Sequence, residues 1–257
     1  MKRIFPIILL SILSGQWSGG TSTSVDVGRK EVGLFSPLRM GLNNGSELII
    51  NKFVIMPSIG FKQEQTMYGN WERARTVRVE YPTMGMKWLQ SPLGMELGEP
   101  DMFALISPQF TIPQMVSFHG EWMGTRPITN NSTLTLRGGF GFSLGGDKLS
   151  NDATIDLPII YPRLSVYYNG TVFTIGGEYT SSFRPSWSYS MDYDMIIMPG
   201  GRGRYAFEHK GLMVWTKSPK FQIHFGYKLI AGEYPFGAQA HLFPALDFIW
   251  RSDAKHN

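Results

Sequence analysis

Thr133-Leu134-Thr135-Leu136-Arg137-Gly138-Gly139-Phe140-Gly141-Phe142-Ser143-Leu144 is the stretch whose reading decides the fold. Its even positions carry Leu, Leu, Gly, Phe, Phe and Leu, and its odd positions carry Thr, Thr, Arg, Gly, Gly and Ser. A β-strand sends alternate side chains to opposite faces, so this segment has one oily face and one small, polar face. In a soluble barrel the oily face points inward. In a membrane barrel it points to lipid and the small polar face lines the lumen.

The same alternation recurs along the chain. Phe221, Ile223 and Phe225 alternate with Gln222, His224 and Gly226, and Val116, Phe118 and Trp122 with Ser117, His119 and Glu121. Leu242, Leu246, Phe248 and Trp250 alternate with His241, Ala245 and Asp247. A soluble barrel of this length needs a strongly charged outer face, whereas these polar faces are mostly Thr, Ser and Gly. The lipid-facing orientation is therefore expected, with Leu134, Leu136, Phe140 and Phe142 outward and Thr133, Thr135, Arg137 and Ser143 inward.

Fourteen segments read as strands: 25–35, 37–43, 47–56, 58–67, 74–88, 102–112, 114–123, 133–144, 155–168, 171–183, 189–198, 205–216, 221–231 and 240–250. Several of the earliest are short, and single-chain barrels favour even strand numbers. The expectation is an all-β, closed antiparallel transmembrane β-barrel of about twelve strands, with ten to fourteen as bounds. Asn169-Gly170 reads as a two-residue hairpin turn, and Asn43-Asn44-Gly45 and Ser218-Pro219 as similarly tight. Longer connections are expected at 89–101, 124–132, 145–153, 184–188 and 200–204.

Lys2, Arg3 and the apolar run from Ile4 to Leu13 form the first two parts of an export signal, and small residues at Ser18 and Gly20 place cleavage after Gly20. Residues 1–20 are thus expected to be a signal peptide and 21–257 a single barrel domain in a bacterial outer membrane. No segment offers the roughly 20 apolar residues of a membrane-crossing helix. Charged residues make up 17% of the chain, below the roughly 25% of soluble domains. Aromatics reach 14% and glycine 29 residues, which suits aromatic girdles around a crowded lumen. Without the signal, 22 basic residues face 20 acidic ones, so the basic pI does not argue for nucleic acid. Cysteine is absent, which excludes disulfides, thiolate metal sites and a lipid anchor on cysteine.

The C-terminal segment ends Asp247-Phe248-Ile249-Trp250, an aromatic close typical of such barrels, although Arg251 to Asn257 continue as a polar tail. With the run from Gly33 to Leu42, the Pro57–Lys62 segment and Gly232-Glu233-Tyr234-Pro235-Phe236-Gly237, the chain resembles uncharacterised bacterial outer-membrane β-barrel proteins. The resemblance implies location and fold and carries no activity.

Ionisable residues fall mainly on the inward-facing positions: Lys62, Glu64, Arg78, Glu80, His119, Glu121, Arg137, Glu178, Glu208, His224, Lys228, His241 and Asp247. Asp156 follows the same pattern. Both signs alternate closely, which suits either a salt-bridged interior or a lumen selective for small solutes. A hairpin centred near Pro235 sets His224 near Asp247 and Lys228 near His241. An imidazole beside a carboxylate is held and its charged form favoured, and the pair is expected to be structural. A lipid hydrolase needs a nucleophile as well. Ser117, Ser143 and Ser165 are candidates to act with His224 or His241, but no nucleophile motif surrounds them. Asp147 to Asp152 and Asp192-Tyr193-Asp194 would suit calcium-binding loops but lack the Gly and Glu positions of an EF-hand. The five histidines lack metal-ligand spacing, and no cofactor is expected.

The sequence therefore points to a narrow passive channel or a structural wall protein with a mixed-charge lumen. Its partners would be outer-membrane lipid and small solutes. A barrel-embedded lipid hydrolase and a secreted soluble β-domain are the alternatives.

Overall fold

The computed structural model describes residues 20–52, 56–90, 110–145, 149, 158–200, 203–235 and 237–253. The segment from Thr133 to Leu144 is the core of β7 (Ser132–Leu144), and its alternation is obeyed. Leu136, Phe140, Phe142 and Leu144 are exposed, whereas Thr135 and Arg137 are buried.

The strands before it are β1 (Lys30–Gly33), β2 (Leu38–Gly41), β3 (Ser46–Asn51), β4 (Ser58–Tyr68), β5 (Trp71–Glu80) and β6 (Val116–Thr129). Those after it are β8 (Thr171–Arg184), β9 (Trp187–Ile197), β10 (Tyr205–Ser218), β11 (Phe221–Tyr234) and β12 (Gly237–Arg251). Each pairs antiparallel with its neighbours in sequence, and β12 returns to β1 through Glu31↔Arg251, Val32↔Trp250 and Gly33↔Ile249. The sheet is a closed barrel of twelve antiparallel strands. Closure leaves no unpaired edge. Among the described residues two helices, α1 (Thr83–Gln90) and α2 (Tyr161–Asn169), interrupt the strands.

The two ends of the barrel differ. At one, the turn end, hairpins close through two residues each: Gly69-Asn70, Asn130-Asn131, Pro185-Ser186 and Pro219-Lys220. The β2–β3 turn lies there too, with Asn44 at φ 59° and Gly45 at φ 64°, as a tight turn there requires. The chain enters β1 and leaves β12 at the same end. All longer connections, including both helices, lie at the opposite, loop end.

Several expectations are corrected. The segment 74–88 is not one strand: β5 stops at Glu80, and Pro82 precedes α1, since proline cannot donate to a sheet ladder but suits the start of a helix. The segment 155–168 is not a strand either. Residues 155–157 lie outside the described residues, and the rest runs into α2, with Pro162 in its first turn. Asn169-Gly170 is accordingly no hairpin turn: Gly170, at φ 81°, caps α2 by donating its N–H to Val166 O. A left-handed glycine serves a helix C-cap as well as a turn, which is why the dipeptide misleads. The connections expected to be long at 124–132 and 184–188 are tight turns, because β6 runs on to Thr129 and β9 begins at Trp187. Of the segment 102–112, residues 102–109 lie outside the described residues and 110–112 are not in a strand.

The outward face is apolar. Ile175 is 61% exposed, Leu242 68% and Val77 55%. Rings also cluster on it: Trp187 stacks on Trp215 at 5.9 Å, and Phe221 meets Trp250 at 5.6 Å near the turn end. The apolar core lies inside the wall, in the loop-end half. There Tyr161, Leu164, Val166, Tyr167 and Tyr168 of α2 pack with Met56, Met86, Ile112, Met115, Ile196, Met198, Ala206, Ile230 and Tyr234. A nine-residue helix is marginal alone in water. Burial of this whole face inside the barrel is what holds α2.

Candidate functional site: the lumen

The lumen has three levels. At the turn end, residues 20–28 fold inward as a plug. Lys62, fully buried on β4, donates from Nζ to Thr21 O at 3.2 Å and Thr23 O at 2.8 Å. Glu64 Oε1 accepts Ser24 N at 2.6 Å, Glu47 Oε2 accepts Val25 N at 3.1 Å, and Thr125 Oγ1 accepts Ser22 N at 2.9 Å. The inner wall thus satisfies a backbone that forms no sheet of its own. Glu47 is held in turn by Arg39, at 2.5 and 2.9 Å, and by Lys62 at 3.1 Å. Glu31 takes Arg251 and, at 3.4 Å, Arg39.

At the loop end, α2 is bolted to the wall. Arg163 donates to Glu208 through both Nη atoms, at 2.8 Å for Nη2, and also to Ile159 O. Lys228 Nζ reaches Glu208 Oε2 at 2.8 Å. Ser143 Oγ donates to Val166 O at 2.9 Å. The Tyr167 hydroxyl lies 2.8 Å from Ser117 Oγ, and burial pushes it well above its ordinary pKa, so it stays protonated.

Between the two lies a cavity of about 190 Å³, lined by Arg39, Arg78, His119, Glu121, His224 and Arg251 among others. A further ion cluster sits in the wall. Arg137 meets Asp192 at 2.5 Å and Asp194 at 2.9 Å, with Glu178 at 3.9 Å and Lys210 3.7 Å from Asp192. Asp192 and Asp194 are consecutive inward positions of β9, not a calcium loop. Asp147 to Asp152 and Asp156 lie outside the described residues, apart from Leu149.

The thirteen ionisable residues named from sequence occupy all three levels. Lys62 and Glu64 hold the plug. Arg78, His119, Glu121 and His224 line the cavity, and Glu80, beside Arg78 at 3.9 Å, lies just below α2. Arg137 and Glu178 belong to the wall cluster, and Glu208 and Lys228 to the α2 anchor. His241 hydrogen-bonds Gln239 Oε1 at 2.7 Å and stacks on Phe243. Asp247 takes an unforeseen role. It faces His224 directly in the β11–β12 register, yet its oxygens accept Phe35 N, Ser36 N and Ser36 Oγ at 3.0, 2.9 and 2.5 Å. His224 instead meets Gln222 Oε1 at 3.2 Å. The expected His224–Asp247 ion pair is thus replaced by a clamp on the β1–β2 connection. Lys228 faces Phe243 directly, with His241 its diagonal neighbour on β12.

A hydrolase constellation is not assembled among the described residues. Ser117 Oγ lies 2.9 Å from His119 Nε2 but is fully buried beneath Tyr167. Ser143 and Ser165 donate to the carbonyls of Val166 and Pro162. Neither His224 nor His241 contacts a serine. Sequence reasoning missed the plug, Arg39, Arg163 and Glu31. Of these only Arg39 and Glu31 carried a signal, as inward positions of strands otherwise too short to read.

A twelve-stranded closed barrel with apolar exterior and charged interior defines the architectural class. No protein-family model and no curated protein sequence matches the chain. Among solved structures, the NanC porin is similar at a TM-score of 0.50 and 9% identity, over 89% of this chain and 98% of that one. The KdgM porin in complex with disordered oligogalacturonate matches at 0.45 and 8%, over 86% and 95%. The outer membrane channel DcaP of Acinetobacter baumannii matches at 0.39 and 7%, over 92% and 65%.

Proposed function

We propose that the chain is a passive channel of a bacterial outer membrane, admitting small hydrophilic solutes through a lumen of mixed charge. The observation that carries this reading is the mid-barrel cavity lined by charged side chains of both signs, within a wall whose outward face is largely apolar. Exposed apolar area of this extent is strongly unfavourable in water and is satisfied by lipid. Short turns at one end and longer connections at the other follow the periplasmic and extracellular pattern of such barrels, which sets the turn end in the periplasm. The fold shared with the NanC porin supports the same reading. Arg39, Arg78 and Arg251 stand with Glu31 and Glu121 around the cavity, so neither sign of solute is excluded outright.

The plug and α2 favour a second reading, a structural wall protein that conducts nothing. Planar-bilayer recording separates the two. The channel reading expects small, measurable conductance from the whole protein and a several-fold larger one once residues 21–27 are deleted. A folded, inserted barrel that stays silent with both the plug and α2 deleted would establish the wall reading instead.

A further inference from the structure

The outward face is uncharged along β12 from Ala238 to Trp250, and elsewhere among the described residues its only carboxylate is Glu233, at the loop end of β11. On β5 and β6 this pattern breaks. Trp71, Arg73, Arg75, Val77 and Val79 share the outward side of β5, and Arg126, Gly124 and Trp122 face them on β6. Arg73 lies opposite Gly124 and Arg75 opposite Trp122, while Arg126 sits over the Trp71 ring at 4.9 Å. On the other flank Gln63 and Gln65 of β4 face Arg75 and Arg73. Two residues of strand span about 7 Å, so the three guanidinium groups spring from one small patch. Arg73 uses its donors on Thr66 O at 2.7 and 2.9 Å. Neither Arg75 nor Arg126 has a carboxylate partner among the described residues.

Three cations on a lipid-facing wall without a counter-ion demand one from the surroundings. The apolar part of the outward face is also short here: Ile59 and Phe61 on β4, Val77 and Val79 on β5. A spanning strand normally offers a band of about 9–11 residues. A bilayer meets so short a face by thinning, which draws headgroups toward the arginines.

We infer that Arg73, Arg75 and Arg126, flanked by Trp71 and Trp122, form a binding site for the phosphate headgroup of an anionic phospholipid in the leaflet at the turn end. Its acyl chains would lie on Val77, Val79, Ile59 and Phe61. Guanidinium forks match phosphate oxygens, and the tryptophans suit the interface between headgroup and chain. A second copy of this chain is the poorer occupant, because among the described residues its outward face offers only Glu233 as a counter-charge. The inference rests on the membrane reading above.

Native mass spectrometry of the protein released from vesicles of equal phosphatidylglycerol and phosphatidylcholine tests it. Each interfacial arginine favours anionic lipid by about fivefold. Wild type is therefore expected to retain phosphatidylglycerol at least fivefold over phosphatidylcholine. Arg75→Gln with Arg126→Gln, which leaves only Arg73, should lower the ratio at least fivefold, and the paired lysine substitutions should keep most of it. Lys220→Gln, whose side chain already pairs with Asp253 at 2.5 Å on the same rim, should leave it unchanged. Should the glutamine pair fail to fold, Arg75→Gln alone is read, and its ratio must fall. Equal retention by wild type, an unchanged ratio in a folded glutamine variant, or lipid-free oligomers would overturn the site while leaving the barrel in its membrane. Failure of wild type to insert at all, seen as absence of heat-modified gel migration, would overturn the membrane reading itself.

Discussion

Replacing Arg163 by methionine should loosen α2 without removing it. The guanidinium makes two charge-assisted bonds to Glu208 and a third to Ile159 O, all buried. Breaking a buried ion pair costs about 3–5 kcal/mol, largely because the surviving charge is stranded. Here Glu208 keeps Lys228 at 2.8 Å, so the low end, about 3 kcal/mol, applies. The five large side chains of α2 in the core remain to hold it, each contributing about 1.5–3 kcal/mol. The helix therefore stays docked on average, but its undocked population rises about a hundredfold, at a factor of ten per 1.4 kcal/mol. The native chain has no cysteine, so Leu164→Cys places a unique thiol at a fully buried point of α2. Its labelling by a water-soluble maleimide should be slow in the parent and about a hundredfold faster with Arg163→Met, with heat-modified migration unchanged. Equal rates would show that Arg163 does not hold the helix. Fast labelling in the parent would show that α2 does not occupy the mouth at all.

Three further outcomes follow from the geometry. Leu136→Arg, on the lipid face, should lower insertion into bilayers by about 2–4 kcal/mol, whereas Thr174→Arg, into the cavity, should be tolerated. Folded yields by gel migration compare them, and equal yields would reverse the assignment of faces. Gly226→Ala should abolish folding, since its Cβ would stand 1.9 Å from Gly211 O, while Gly138→Ala meets nothing nearer than 4.0 Å and should fold normally. Asp247→Asn should destabilise the barrel by about 1–3 kcal/mol, as a carboxylate accepting three backbone N–H groups, from Phe35, Ser36 and Phe248, becomes half donor. His224→Gln should cost less than half as much in denaturant titration, and parity would restore the ion-pair reading.

The strands were legible where one side of the wall met lipid and the other a polar lumen, as from Thr133 to Leu144. The reading failed where that contrast disappears. Residues 158–168 are buried on every side within the barrel, so Ile159, Ile160, Leu164 and Val166 give no period that separates helix from strand. The end of the segment 74–88 was overrun because Met84, Met86 and Trp88 alternate by accident of a half-buried helix, despite Pro82. The plug was invisible for the opposite reason: Thr21, Ser22, Thr23 and Ser24 have no apolar face, and their partners lie 21 or more positions away. The lumen's charged residues were readable as inward positions. Their pairings were not, because strand neighbours fix which backbones face each other, while long side chains such as Arg137 and Arg163 choose partners across the interior.

Housing residues 20–28 within the wall constrains the order of assembly. The side chains that grip this stretch belong to β3, β4, β5 and β6, all in the first half of the chain, whereas the ring is completed only when β12 joins β1 through three residue pairs. A ring sealed first would have to draw this stretch in through a mouth already ringed by Glu31, Arg39 and Arg251. The early strands therefore act as a cradle laid around residues 20–28, and the later, longer strands as the cover drawn over it. The seam between them rests on only three residue pairs, as does the neighbouring β1–β2 join.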